Sequence, residues 1–97
     1  MYEELLNLYN SYKNRTVFRE HYLALYAYSF VFSIKKEEWN LYPDPVYELR
    51  DYYQHKKVLT LGEINDSIFL INALDVDDKI ELLDKARLSL QKYKKLN

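Results

Sequence analysis

The chain has 97 residues, a formal net charge of −1, 48% hydrophobic and 30% charged residues. That mixture describes one folded domain, and its charge balance excludes the broadly basic surface of a general nucleic-acid binder. One glycine, two prolines and no cysteine exclude a glycine-rich phosphate loop, disulfides and thiolate metal sites, and leave a chain of few turns and long helices.

Tyr2 to Tyr12 reads as a first helix. Tyr2, Leu5, Leu6, Tyr9 and Tyr12 recur at three- and four-residue spacing and so share a face. Glu3 and Glu4 at its start, with Lys13 and Arg15 past its end, suit the helix dipole. Asn14 and Thr16 mark a break, with Thr16 as N-cap of the next helix.

Val17 to about Lys36 is apolar on nearly all sides, which a central, buried helix requires. Tyr22, Tyr26, Tyr28, Phe30, Phe32 and Ile34 also share one parity, as a strand with an aromatic face would show. Length and the lack of a turn signal favour the helix over a strand at Tyr22 to Ile34. The apolar run Leu23 to Ile34, interrupted by Ser29 and Ser33, is shorter than the ~20 residues of a membrane span. With the acidic Met1-Tyr2-Glu3-Glu4 start, this predicts a cytoplasmic protein.

Glu37 to Asp44 reads as a loop whose Trp39, Leu41 and Tyr42 fold back onto the core. Asp44-Pro45 predicts an N-cap followed by proline at the first helical position. The third helix is expected to run to Lys57 with Val46, Leu49, Tyr53 and Tyr52 inward. Thr60-Leu61-Gly62-Glu63 has capping-box spacing. A fourth helix would follow, with the stripe Leu61, Ile64, Ile68, Ile71 and Leu74. Asp75 can cap a fifth, with Val76, Ile80, Leu83, Ala86, Leu90 and Tyr93 facing inward. The expected fold is an all-α, antiparallel bundle of four or five helices.

Asp75, Asp77, Asp78 and Glu81 lack the glycine and the terminal glutamate of a calcium loop. They match a helix start, with Lys85, Arg87, Lys92, Lys94 and Lys95 at its far end, so no metal or other cofactor is expected. Tyr9, Tyr22, Tyr26 and Tyr53 fall on core stripes. Tyr42, Tyr47, Tyr52 and Tyr93 are expected to be at least partly exposed, and exposed tyrosine near Arg or Lys is the composition of a protein-binding surface.

Arg50-Asp51-Tyr52-Tyr53-Gln54-His55 resembles the Arg, four residues, His motif of HEPN-type ribonucleases. The resemblance implies an Arg that stabilises phosphate charge and a His that moves a proton. Arg15 and His21 fit a looser version, and Lys57 stands where toxin members carry a tyrosine.

A broader resemblance covers about Leu5 to Leu74. A short first helix ends in Ser11-Tyr12-Lys13-Asn14, and a long apolar second helix follows. Then come Leu41-Tyr42-Pro43-Asp44-Pro45, a helix with Leu49 and Tyr52-Tyr53, and a basic exit His55-Lys56-Lys57-Val58-Leu59 before a Thr60-started helix. This organisation resembles the immunity proteins of class IIa bacteriocins, the enterocin A immunity family of low-GC Gram-positive bacteria. Family members are often basic and end in a less ordered tail, whereas this chain is slightly acidic and Asp77 to Lys95 reads as a regular helix.

The resemblance implies a non-enzymatic cytoplasmic helical bundle at the inner membrane face. It would engage the sugar-transporter receptor once bacteriocin has captured it. Lys92, Tyr93, Lys94 and Lys95, with Tyr42 and Tyr52, are then the expected partner-binding residues. A phage or mobile-element protein that inhibits a host protein is the alternative binding reading, and a HEPN-like ribonuclease the enzymatic one.

Overall fold

A computed structural model describes residues 1–14 and 18–95, the last without its side chain. The described residues form helices α1 (Tyr2–Tyr12), α2 (Phe18–Lys35), α3 (Asp44–His55), α4 (Leu61–Asp66), α5 (Ile68–Ile71) and α6 (Val76–Lys95). The fold is all-α, as expected. Arg15, Thr16 and Val17, and with them the expected N-cap of the second helix, lie outside the described residues.

The ambiguous second segment is a helix, and it is the centre of the protein. Ala24, Leu25, Ala27, Tyr28, Ser29, Val31 and Phe32 of α2 are all buried. They surround the helix because its neighbours pack on several sides. On one side α1 brings Tyr9 onto Tyr28, with ring centroids 4.5 Å apart. On another, α3 brings Tyr52 to 4.5 Å from Tyr22 and Tyr53 edge-on to Tyr26 at 6.3 Å. Leu49, Leu59 and Leu70 complete the core from α3, from the α3–α4 connection and from α5, each fully buried.

Past the end of α2, the connection turns at Asn40, whose φ of 50° is a left-handed conformation in which Asn is favoured among non-glycine residues. The Leu41 N–H then reaches back to the Lys36 carbonyl at 2.9 Å, which closes the turn. Leu41 packs against the core, Trp39 is half-buried under Lys35, and Tyr42 stays half exposed.

Three boundaries differ from expectation. Pro43 occupies the N-cap position of α3, so Asp44 is its first residue and caps nothing with its side chain. The helix stops at His55 because Lys56 is extended, with ψ 134°. The predicted fourth helix is two helices, broken at Ser67, whose hydroxyl donates to the Ile64 carbonyl at 2.6 Å. The break rotates the stripe. Leu70 and Leu74 are buried, Ile64 and Ile71 half-buried, and Leu61 and Ile68 face solvent. The capping box forms in full: Thr60 Oγ accepts from the Glu63 N–H at 3.1 Å, and Glu63 Oε1 accepts from the Thr60 N–H at 2.9 Å.

Asp75 does cap α6, accepting from the Asp78 N–H at 2.9 Å. Of the predicted inward stripe of α6, Ala86 and Tyr93 do turn inward, and the other four residues are wrong in phase. Val76, Ile80, Leu83 and Leu90 are 69%, 60%, 52% and 39% exposed. Leu82 and Ser89 are buried instead, with Ala86 and Tyr93 half-buried beside them. Polar anchors fix this phase. Arg50 reaches Asp78 at 3.2 Å, Lys85 Nζ donates to the carbonyls of Tyr53 and Gln54, and the Tyr93 hydroxyl donates to the Leu59 carbonyl at 3.0 Å.

Candidate partner-binding cleft

Along α2, Leu23, Tyr26, Ala27 and Phe30 recur at the i, i+3, i+4, i+7 spacing of one helix face. Along α1, Met1, Leu5 and Leu8 do much the same. Where α1 and α2 meet, these two rows stay partly apart and enclose a cleft of about 340 Å³. Phe69 of α5 closes one end, its ring edge-on to Phe30 at 5.9 Å. The wall is almost wholly hydrocarbon, and Tyr26 is the one lining residue with an ionisable side chain. Leu23 is 49% exposed and Phe69 38% exposed at the rim, so the cleft opens to solvent. A concave apolar site of this size is in the range that holds a ligand or a few side chains of a partner.

One wall is held by a partly buried polar network. The Tyr26 ring lines the cleft while its hydroxyl pairs with that of Tyr53. Tyr53 donates onward to the Glu63 carbonyl at 2.7 Å. Tyr52 and Lys56 both bond the Glu63 carboxylate, the lysine at 3.1 Å. Burial pushes the phenols of Tyr26 and Tyr53 well above the ordinary value, and their mutual hydrogen bond pushes Tyr53 further. Burial also opposes the charge on Glu63. The Thr60 N–H, the Tyr52 hydroxyl and Lys56 outweigh it, and the carboxyl is held below its usual range. Lys56 is raised in return, chiefly by its bond to Glu63. The network thus ties α2, α3 and α4 together behind the cleft.

The sequence-predicted binding residues do not converge. Tyr42 lies at the α2–α3 loop, its hydroxyl 3.3 Å from that of Tyr9 and its carbonyl accepting from Tyr28. Tyr52 is half-buried between Tyr22 and Glu63. Tyr93 is half-buried against Leu59, while Lys92 and Lys94 are exposed at the end of α6. The side chain of Lys95 lies outside the description.

Arg50 and His55 are also apart. Five positions on a helix turn about 140°, and the two side chains are held separately. Arg50 pairs with Asp51 and Asp78 and stacks over Tyr47 at 4.5 Å. His55 Nδ1 bonds the Asp51 carbonyl of its own helix at 2.7 Å.

The cleft was missed because Leu8 and Phe69 belong to no predicted stripe, and Leu23, Ala27 and Phe30 were absorbed into a segment read as apolar all round. The four-residue row on α2 was the available signal. No protein-family model matches the chain, and no characterised protein or solved structure shows significant similarity to it.

Proposed function

We propose that this protein is a non-catalytic binding protein whose α1–α2 cleft receives an apolar segment of a partner protein, and that its biology is bacteriocin immunity. The observation that carries the binding reading is the open cleft itself, lined by Leu5, Leu8, Leu23, Tyr26, Ala27 and Phe30. Rigid aromatic and leucine side chains around a concavity are what a partner's apolar anchor requires. Among the described residues no three His, Asp or Glu side chains are grouped to hold a metal.

The all-α architecture built on a long central second helix is the fold that the immunity-family resemblance implies. No described helix is long and apolar enough to cross a membrane, so a membrane-embedded receptor would be met from outside the bilayer. In this reading the apolar cleft is the main contact in place of the α6 terminus, where Lys92 and Lys94 stand exposed. Expression in a sensitive low-GC Gram-positive strain tests the reading. Survival should rise against one pediocin-like peptide, and unchanged killing across a panel of such peptides would refute it. An inhibitor of a host protein from a phage would show the same cleft dependence without any such tolerance.

A further inference from the structure

α6 carries a second apolar surface that the fold does not use. Val76, Leu83 and Leu90 are spaced by seven, with Ile80 beside them, and together they form a stripe on the outer side of the helix. It runs about 21 Å at the helical rise. Val76, Leu83 and Leu90 are symmetric about Leu83, while Ile80 lies to one side with the half-buried Ala86 as its mirror position. The charges of α6 are antisymmetric about nearly the same point. Asp78 and Lys85 turn inward to α3; of the remaining charges, Asp75, Asp77, Glu81 and Asp84 stand with Lys79 between 75 and 84, and Arg87, Lys92, Lys94 and Lys95 stand without an acid beyond them.

The geometry points to a second copy of this chain as the occupant of this face. Two copies pair α6 antiparallel about a two-fold axis at Leu83, so that Val76 of each packs on Leu90 of the other. An isologous contact needs a surface complementary to itself, and this stripe is. Antiparallel pairing sets each acidic half beside the other copy's basic half. Parallel pairing would set acid beside acid and base beside base. Asp84 and Arg87 flank the midpoint. Each is more than half exposed and they pair with each other at 2.8 Å, so they are free to re-pair across the axis. The inner anchors, Asp78 to Arg50 and Lys85 to the α3 carbonyls, remain in place. The stripe is smaller than the ~800 Å² per partner of a standard interface, so the pairing is reversible. It does not rest on the cleft reading, because the cleft belongs to α1, α2 and α5.

Sedimentation equilibrium on the whole chain tests the pairing. The expected mass rises from the 11.8 kDa of the monomer toward twice that between micromolar and millimolar protein. Leu83→Glu should raise the dissociation constant by about tenfold or more, with unchanged helical circular dichroism. The chain has no cysteine, so single cysteines report the register directly. Leu83→Cys should cross-link to itself under oxidation and Val76→Cys should not, whereas Val76→Cys with Leu90→Cys in one chain should. A monomer at every concentration, or Val76→Cys cross-linking as fast as Leu83→Cys, overturns the pairing.

Discussion

Ser89 Oγ accepts a hydrogen bond at 2.9 Å from the backbone N–H of Leu59, thirty positions earlier in the chain. Both groups are buried, and the bond joins the α3–α4 connection to α6. Removing the hydroxyl strands a buried N–H. Ser89→Ala should therefore cost about 1–3 kcal/mol in urea denaturation. Leu83→Ala, on the outer face, should cost no more than about 0.5 kcal/mol when measured on dilute monomer. The reverse order would mean that α6 is turned the other way.

The break at Ser67 makes a similar claim within the α4–α5 segment. Leu70 is fully buried and Ile68 is 60% exposed, two positions apart. Leu70→Ala should lose about 2–5 kcal/mol of stability. Ile68→Ala should lose about 0.5 kcal/mol or less. A larger loss from Ile68→Ala than from Leu70→Ala would indicate an unbroken helix with the original stripe.

Glu63 links pH to stability. Its carboxyl is depressed in the folded protein by hydrogen bonds from Thr60, Tyr52 and Lys56, despite burial. A depressed acid stabilises the fold above its ordinary pKa, and that stabilisation is lost as pH falls through the folded value. Denaturant midpoints near neutrality should place Glu63→Gln about 1 kcal/mol below the parent, as for loss of a cap. The gap should close in acid, below the ordinary carboxylate range. A gap that widened in acid would contradict the network.

The tyrosines give an alkaline signature. Burial raises Tyr9, Tyr26 and Tyr53 above the ordinary value and lifts Tyr28 to about 12. A phenol raised on folding contributes stability that is complete below pH ~10 and is lost as pH climbs from there through the folded value. Phenolate absorbance should therefore rise in two stages. The buried set ionises together as the helix signal collapses. A single smooth titration of all eleven tyrosines, with helicity retained, would contradict this core.

Much of the fold was legible. The stripe of the first helix, the capping box at Thr60 and the Asp75 cap are short-range patterns, and each forms as read. α2 was legible by length, since thirteen extended residues would have needed a partner strand. The phase of α6 was not legible, because hydropathy points the wrong way there. Its inner face is built from Ser89, the Lys85 stem, Asp78 and Tyr93, which are satisfied by specific partners far along the chain, while its outer face carries more aliphatic residues. The break at Ser67 lacks any glycine or proline to announce it. The cleft was hidden because it arises between two helices, and a row such as Leu23, Tyr26, Ala27 and Phe30 shows only that a face is apolar and not whether anything covers it.

On the proposed reading the α1–α2 cleft, not the α6 terminus, holds the partner. The most direct measurement compares bacteriocin survival of a sensitive strain carrying the parent, Leu23→Glu or Lys94→Glu, all at equal protein levels. Leu23 is half exposed at the cleft rim, so a charge there spoils an apolar site without disturbing the core. Protection should be abolished by Leu23→Glu and largely kept by Lys94→Glu. Protection that survives Leu23→Glu undiminished would contradict it.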